Sequence, residues 1–580
     1  PLATVALSRP ARAADAGPLD ERLYDLVEAR QRRVIRDNPV TGTVLGIHTE
    51  DHRLSDPSRD AVLEEIAADH AHVAAVEAID PAGLSATARF ERDLELHNVR
   101  LALFDADEIR RWERRSSATD EIGAAIFLLF ARDFAPLAER LDAITSRLEA
   151  VPVFLDASRS RLVGTPVADW QRLEQAAATR LPAMFAEVRR AAHGSLAGPE
   201  LRRLERATTA ADAALERYGE WVATTLARAT DDWAVGRERF DELVARRAFD
   251  GLDADAILEI GWQQLRAHRE ARRACARELD PDADEATVID RVKSDHPATF
   301  AEALEAYRDA MHRARAHLVA RDLVTVPDDE AIRVVETPLH LRAVVPFAAY
   351  FSPAKFDPGS EGVYVVTPSV DDDPRAMREH YRASISNTSI HEAYPGHHLQ
   401  LSVAARHPSL TRLDCNAPEF VEGWGMYSEQ LMREQGFDDG PAFRVSMPAD
   451  AIWRACRIIL DVRMHRGELT TDEAIDFLVE HTSFEAPNAR AEVRRYTYTP
   501  TYQLSYLLGK VLILGLREDE RRHRGDAFSL KAFHDTLLTT PRSAQLLYDY
   551  FEARFNPQLG DRETRMEKAK ADFFESLNSV

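Results

Sequence analysis

The sequence has few cysteines, no long apolar run and no excess of positive charge. Its 580 residues include three cysteines, which are Cys275, Cys415 and Cys456. They lie far apart and form no CxxC pair, so they indicate neither a disulfide framework nor a thiolate metal site. The longest apolar stretches, such as 124–131 and 511–516, are shorter than the roughly 20 residues that a helix needs to cross a bilayer. These absences predict a soluble protein with no membrane partner.

The charge balance is acidic. With 74 Lys and Arg against 97 Asp and Glu, the formal net charge at pH 7 is −23. Nucleic acids and anionic membranes are bound by basic surfaces, which release counterions or meet lipid headgroups. The composition therefore predicts that the protein binds neither of them.

The first residues, PLATVALSRPARAADAG, contain a short apolar run followed by Ala11-Arg12-Ala13. This order is typical of the end of an export signal with its small-residue cleavage site. A flexible leader is the alternative interpretation of residues 1–17. Low cysteine usage fits both a reducing and an oxidising compartment. A cytoplasmic and an exported location therefore both stay open.

Helical periodicity dominates residues 18–325. In 85–104 and 134–155, apolar residues recur at the spacing of one helix face, which predicts amphipathic helices. Pro and Gly between such segments indicate short helix-to-helix connections. The sequence therefore predicts a helical N-terminal half.

The pattern changes between residues 332 and 369, where Pro and Gly separate clusters of β-branched residues. This composition predicts strands in a small sheet, with the clusters at 332–335, 343–345 and 363–367. Helical periodicity returns near residue 374 and continues to the C-terminus. The predicted fold class is mainly α, and the second half, 326–580, carries a small β element before its first helix.

The clearest chemical feature is the segment 391–398, HEAYPGHH. Three imidazoles and a carboxylate are ligand types that suit zinc. A Glu directly after the first His occupies the position where zinc hydrolases keep their general base, which predicts that role for Glu392. The alternative is a surface helix that carries these histidines by chance.

The spacing of the histidines differs from the common HExxH motif. An ideal helix advances about 100° and 1.5 Å per residue, so His391 cannot share one ion with His397 or His398 in a regular helix. Pro395 lacks an N–H and its ring clashes with the carbonyl four residues earlier, so the helix must kink or bulge there. If a bulge takes up two residues and Gly396 gives the backbone room to re-enter the helix, His391 and His397 become equivalent to residues four apart. They are then the predicted metal-binding pair. His398 is the alternative second ligand.

A third protein ligand would leave one coordination position open for water. The segment 418–434, PEFVEGWGMYSEQLMRE, contains Glu422 and Glu429, which share one helix face. Glu422 is the predicted ligand. Glu429 is the alternative ligand, or it orients one of the histidines. The segment is too apolar for an exposed helix, which weakens the interpretation that both are surface carboxylates.

Three segments, HEAYPGHHLQ, FVEGWGMYSEQ and RRYTYTPTYQLSYLLGK, resemble the hallmark blocks of a large bacterial family known as a domain of unknown function with an HExxPGHH signature. The resemblance extends roughly from residue 20 to 575, with the specific motifs in 385–515. That family is similar to the gluzincin peptidases of the thimet-oligopeptidase and thermostable-carboxypeptidase types. The resemblance implies a zincin-like helical clamshell, in which residues 18–325 wall a cleft and residues 326–580 carry the catalytic site.

In those peptidases, an HExxH helix and a downstream Glu hold zinc. Gly396-His397 matches the end of the HExxH motif, and the segment 420–422 matches the one that carries the ligand Glu. The resemblance thus implies that Zn²⁺ is held by His391, His397 and Glu422. The two-residue expansion before His397 departs from the pattern of the peptidases.

A donor that stabilises the tetrahedral oxyanion is also needed. The segment 494–502, RRYTYTPTY, resembles the tyrosine-bearing segment of the carboxypeptidase relatives, which implies this role for Tyr498, with Tyr502 as the alternative. His465 lies four residues after Asp461 on one helix face. It is a further candidate oxyanion donor, or else a hydrogen-bonded structural histidine.

These residues together predict a zinc-dependent metallohydrolase of gluzincin type that acts on short peptides or amino-acid amides. Arg495 is a candidate partner for the C-terminal carboxylate of a peptide. One alternative is a non-peptidase amide or ester hydrolase that acts on a small metabolite. The other is a non-catalytic peptide-binding protein on the same scaffold.

Overall fold

The computed structural model describes residues 17–539 except 250, 339–341, 343–344, 346, 358–360, 369–375, 414–416 and 483. Residues 1–16 of the predicted leader and Cys415 lie outside the described residues. Within the described part, none of the helices has the length and apolar character that a membrane crossing requires.

Helices make up most of the described chain, which confirms the predicted fold class. Twelve of them precede the sheet: α1 Pro18–Asp37, α2 Pro39–Leu45, α3 Arg59–Glu77, α4 Ala86–Leu103, α5 Ala118–Ala131, α6 Leu137–Ser158, α7 Ala168–Ala192, α8 Gly198–Thr225, α9 Arg237–Arg247, α10 Ala254–Leu279, α11 Glu285–Ser294 and α12 Phe300–Ala320. Ten described helices follow it: α13 Arg382–Glu392, α14 His397–Ala404, α15 Leu410–Leu413, α16 Pro418–Glu434, α17 Pro441–Arg444, α18 Ser446–His465, α19 Thr471–His481, α20 Ala486–Tyr496, α21 Ser505–Arg524 and α22 Leu530–Leu538.

Two helices show how well the apolar periodicity located the elements. The pattern in 85–104 corresponds to α4, which begins after Ser85 because the Ser85 side chain accepts the N–H of Ala88 and caps the helix. The pattern in 134–155 corresponds to α6, which begins one residue after Pro136 and continues to Ser158. Both predictions are confirmed to within three residues at each end.

The sheet has three strands, β1 Ile332–Glu336, β2 Ala348–Phe351 and β3 Gly362–Val366. The central strand, β3, pairs in parallel with β1 and antiparallel with β2. The predicted small β element before the first helix of the motif region is therefore confirmed. Its second strand lies at Ala348–Phe351, where the register with β3 places it, whereas residues 343 and 344 of the predicted cluster lie outside the described residues.

The chain divides into two compact units. The first comprises the chain up to Trp233 with the short segments Ala354–Ser360 and Pro408–Asp414. One of its apolar cores is formed by α5, α6, α7 and α8, with fully buried residues such as Phe185 and Tyr218. The predicted division at residue 325, with one half walling a cleft, stays a prediction.

The second unit contains α9 to α14 and α16 to α22, together with the sheet. Its core includes Ile390, Leu399, Trp424 and Tyr427, which surround the HEAYPGHH segment. Helices α16 and α21 cross with their backbones in contact, since a Cβ at Gly509 would lie 1.9 Å from the carbonyl oxygen of Glu419. This crossing fixes the first turns of α16 against α21.

Candidate metal centre

The HEAYPGHH segment is split between two helices, as the proline predicts. Helix α13 ends at Glu392 and α14 begins at His397. Between them the chain approaches its own backbone closely, because a Cβ at Gly396 would lie 1.9 Å from the carbonyl oxygen of His391. Trp424 of α16 donates its indole N–H to the carbonyl of Pro395 at 2.7 Å. The break is thus held in place, and it turns the second histidine of the motif back towards the first.

Three side chains converge at this break. Ligand atoms of His391, His397 and Glu422 all lie within 4.8 Å of one another. Oε2 of Glu422 is 3.6 Å from Nε2 of His391 and 3.4 Å from Nε2 of His397. All three side chains are largely buried, with 10%, 11% and 14% of the side-chain surface exposed for His391, His397 and Glu422. The structure therefore brings together the three residues that the sequence predicts as metal ligands.

The electrostatics of the group are those of a site that attracts a cation. Burial would raise the pKa of the Glu422 carboxyl, but His391 and His397 hold that pKa well below its usual range. Burial likewise lowers the pKa of His391, but Glu422 and Glu429 more than offset this and raise it well above its usual value. The imidazole therefore keeps a positive charge among carboxylates. A metal ion bound here would take the place of that proton.

Glu429 lies behind His391 rather than in the group of ligand atoms. Its Oε1 is 2.7 Å from Nδ1 of His391, and because a carboxylate only accepts, Nδ1 is the donor. Asn387 in turn donates to the other oxygen of Glu429 at 2.9 Å. When His391 loses its second proton to bind a metal ion, these contacts keep the remaining proton on Nδ1. The lone pair on Nε2 then points towards His397 and Glu422. They support the predicted alternative in which Glu429 orients a histidine.

His398 is fully buried and both of its nitrogens are used elsewhere. Its Nε2 donates to Oε2 of Glu330 at 2.6 Å, and its Nδ1 accepts from the hydroxyl of Tyr350 at 2.9 Å. Tyr394 and Arg315 also donate to Glu330. A neutral imidazole with both nitrogens hydrogen-bonded has no lone pair left for a metal ion. The geometry therefore favours His397 over His398 as the second ligand.

Glu392 follows His391 at the end of α13 and is half-buried. Across the described part of the chain, its carboxylate makes no hydrogen bond and no ion pair. Such a carboxylate is available to accept a proton. The structure thus leaves Glu392 in a state that fits the predicted general base.

Tyr502 contacts the ligand group. Its hydroxyl donates to Oε1 of Glu422 at 3.1 Å, and burial followed by the charge of Glu422 raises its pKa. Thr501 has a φ of 65°, which turns the chain just before Tyr502. Tyr498 is half-buried, and its backbone N–H donates to the carbonyl of Arg495 at 3.3 Å. The contact with Glu422 supports the predicted alternative, Tyr502, and the role of Tyr498 stays a prediction.

His465 and Arg495 have partners outside the ligand group. His465 is fully buried, and its Nε2 donates to the carbonyl oxygen of Tyr496 at 3.0 Å. This contact supports the alternative of a structural histidine that holds the end of α20. Arg495 donates to Glu492 at 2.9 Å. Its predicted role towards a substrate carboxylate stays a prediction.

Residues 39–540 match the family described as bacterial protein of unknown function, DUF885. The chain belongs to the DUF885 family. The matched residues include the whole of the HEAYPGHH break and the helix that carries Glu422. No curated protein matches this sequence.

Solved structures resemble this DUF885 protein, and two of them are candidate lipoproteins. One is a candidate lipoprotein of unknown function from Shewanella oneidensis, with 21% identity, a TM-score of 0.72, and coverage of 91% of this chain and 98% of that chain. The other is a candidate lipoprotein from Colwellia psychrerythraea, with 17% identity, a TM-score of 0.78, and coverage of 93% and 100%. At these identities the resemblance shows a shared fold.

Two residues that shape the DUF885 site were not predicted from the sequence. Gly425 faces the ring of His391, and a Cβ there would lie 2.7 Å from Cε1 and 2.8 Å from Nε2. Asn387 bridges Glu429 and Asp450. The signal for Gly425 was its place three residues after Glu422, one turn along the same helix face. For Asn387 the only signal was its position four residues before His391.

Proposed function

We propose that this DUF885 protein is a zinc-dependent metallohydrolase that cleaves short peptides or amino-acid amides. The convergence of His391, His397 and Glu422 carries the proposal. Zinc sites with three protein ligands of these types keep a fourth position open for water or substrate. Ligand atoms 2.0–2.1 Å from one tetrahedral zinc ion are separated by about 3.3 Å. The separations of 3.4 and 3.6 Å between Glu422 and the two histidines fit that geometry.

The charge around Glu422 supports a metal ion. Across the residues that the structure describes, no Lys or Arg pairs with Glu422, whose contacts are the two imidazoles and the hydroxyl of Tyr502. A buried carboxylate needs a positive charge beside it, and here the protonated imidazole of His391 supplies that charge. A divalent cation bound by the same atoms would take over this role from the proton.

The chain's own residues then divide the work of hydrolysis. Zinc, when bound, supplies Lewis acidity towards the water and the scissile carbonyl. Glu392 takes the proton from the attacking water and delivers it to the leaving amine. Tyr502 donates its single hydroxyl proton to Glu422, and turning that O–H towards the developing oxyanion would let it stabilise the negative charge, with Tyr498 and His465 as the further candidates from the sequence. Glu429 and Asn387 keep His391 in the tautomer that leaves its Nε2 free for the ion.

An exported location is proposed as well. The two structural relatives are described as candidate lipoproteins, and the first residues of this chain are typical of the end of an export signal. Fractionation of the native cells with an antibody to the protein tests this. Recovery in the cytoplasmic fraction alone would contradict it.

The proposed reaction is tested by incubating the zinc-loaded protein with a mixed library of short peptides and reading the products by mass spectrometry. Cleaved peptides, with cleavage abolished by a chelator and restored by zinc, support the proposal. An intact library with hydrolysis of small amides or esters would favour the metabolite hydrolase. An intact library together with peptide binding would favour the non-catalytic alternative.

A further inference from the structure

A cluster of arginines and aromatic rings lies beside the candidate metal centre. It is built from helix α18, helix α20 and the first turn of α21, all in the second unit. We refer to it as the arginine cluster, and its members are Trp453, Arg454, Arg457, Glu492, Arg495 and Tyr506.

The arginine cluster is connected to the ligand group by two tyrosines. The hydroxyl of Tyr502 donates to Glu422 and lies 3.5 Å from the hydroxyl of Tyr506. The guanidinium of Arg457 in turn lies 4.7 Å from the ring centroid of Tyr506. Tyr502 and Tyr506 therefore link Arg457 to the predicted ligand Glu422.

A second connection runs behind His391. Arg454 donates to Asp450 at 3.0 Å. Asp450 accepts from Asn387 at 3.3 Å, and Asn387 also donates to Glu429, the residue that orients His391. The arginine cluster thus borders the metal centre on the Glu422 side and on the His391 side.

The cluster and its direct partners carry one more positive charge than negative charge. Glu492 is shared, since Arg457 and Arg495 each donate to its Oε2 at 2.9 Å. Asp450 pairs with Arg454. Three guanidinium groups therefore face two carboxylates. One further anion would balance them.

Besides the excess positive charge, the arginine cluster has hydrogen-bond donors that lack an acceptor. Arg457 is only 3% exposed. In the described part of the chain, its Nη1 and the Nε of Arg454 are buried and have no hydrogen-bond partner. Both guanidinium groups lie 4.0 Å from the ring centroid of Trp453. Two like charges held against one indole, with donors left over, are costly unless an anion joins them.

We propose that the arginine cluster binds the C-terminal carboxylate of the peptide substrate, so that the enzyme is a carboxypeptidase or dipeptidase. This proposal rests on the proposed function. Guanidinium groups suit a carboxylate because their planar N–H forks match its two oxygens. Trp453, Tyr502 and Tyr506 are half-buried, and they would form an apolar wall for the last side chain of the peptide. The donors left over belong to Arg457 and Arg454, which therefore replace the predicted Arg495 as the main contacts.

The test compares two peptides that differ only at the C-terminus, one with a free carboxylate and one with a carboxamide. We expect the wild-type protein to cleave the acid with a kcat/KM at least about tenfold higher than the amide. Arg457→Lys and Arg454→Gln should lower kcat/KM for the acid by about 10- to 100-fold, mainly through KM, because charge-assisted hydrogen bonds are lost. Both variants should slow cleavage of the amide much less, so that the acid-to-amide ratio of kcat/KM falls towards one.

Arg490→Gln is the matched control, because Arg490 lies on α20 with 58% of its side chain exposed. It should leave both substrates unchanged. Equal kcat/KM for acid and amide in the wild-type protein would overturn the proposal, as would variants that slow both substrates equally. Thermal unfolding of each variant shows whether the side chain was needed for folding, in which case the acid-to-amide ratio of the wild-type protein decides.

A binding measurement separates this proposal from the proposed hydrolase function. Calorimetric titration of the Glu392→Gln protein with the same two peptides needs no turnover. Tighter binding of the acid, lost in the Glu392→Gln/Arg457→Lys double variant, would support the carboxylate site even if no peptide is cleaved. Equal affinity for acid and amide would overturn the carboxylate site while leaving the metal centre untouched.

Discussion

The two units of the protein each contain a histidine between two carboxylates, half-buried in the first unit and buried in the second. In the first unit, Nδ1 of His48 lies 2.6 Å from Asp51 and Nε2 lies 2.8 Å from Asp357. In the second, His391 lies between Glu429 and Glu422. Burial lowers the pKa of His48, but its two carboxylates raise it to about 9. The pKa of His391 is raised for the same reason. The two histidines thus have similar surroundings at first sight.

The difference lies in what else the carboxylates contact. Asp51 also pairs with the fully buried Arg147 at 3.5 Å and accepts from the hydroxyl of Thr43 at 2.7 Å. In that network an arginine already supplies the positive charge beside the carboxylate. Glu422 instead faces the Nε2 atoms of two imidazoles. Contact between a histidine and a carboxylate is therefore no sign of a metal site. A better criterion for a metal site is that lone pairs of several side chains converge and that no arginine pairs with the carboxylate among them.

The largest effect is expected when the same change is made to both histidines. His391→Ala should abolish stoichiometric zinc binding and lower kcat/KM by more than about 100-fold, the upper range for a residue that only orients a ligand. His48→Ala should retain zinc and activity. Elemental analysis and peptide turnover of the two purified variants check this. Equal zinc content in the two variants would remove the distinction drawn here.

The second largest effect is expected when the predicted general base is removed. Glu392→Gln should lower kcat by about 10²- to 10⁴-fold, since general base catalysis supplies that much. Zinc content should not change, because Glu392 is not one of the converging residues. Turnover at the wild-type rate with zinc bound would show that another group accepts the proton.

A smaller loss, of zinc affinity, is expected when Glu429, which orients His391, is changed. Glu429→Gln should weaken zinc affinity by about 10- to 100-fold, because the amide holds the imidazole less firmly than the carboxylate. Competition with a zinc-binding dye measures it. The corresponding change in the first unit, Asp357→Asn, should leave zinc affinity as it is. A loss of affinity in Asp357→Asn would contradict the separation of the two networks.

The smallest expected effect concerns the pH dependence of stability in the first unit. The pKa of His48 is about 9 in the folded protein against an ordinary 6.5, so its contribution is fully present below pH 6.5 and is lost as the pH rises through 9. The contribution is on the order of 1 to 3 kcal/mol. The gap in Tm between the wild-type protein and His48→Gln should therefore shrink between pH 6 and pH 10. A gap that stays constant or widens would show that His48 is neutral in the folded state.

Local patterns predicted the parts of the molecule that depend on neighbouring residues. Apolar periodicity located α4 and α6 because each helix buries one face. The interruption of the HEAYPGHH segment followed from Pro395, and the convergence of His391 with His397 followed from that interruption.

Contacts between distant segments could not be predicted in the same way. Glu330 and Tyr350 meet His398 from positions 68 and 48 residues away in the chain, and no spacing rule connects them. The contact between Tyr502 and Glu422 joins positions 80 residues apart and follows a positive φ at Thr501, which the sequence pattern does not predict. The two unmatched donors of the arginine cluster became visible only when the partners of each guanidinium were known.

The central claim, that His391, His397 and Glu422 form a metal centre, is tested most directly by replacing two neighbouring histidines in turn. The measurement is the zinc content per chain of the wild-type protein, His397→Ala and His398→Ala after gentle purification. The expected result is one zinc per chain in the wild-type protein, none in His397→Ala and close to one in His398→Ala. A wild-type protein without metal, or loss of zinc in His398→Ala with retention in His397→Ala, would contradict the account.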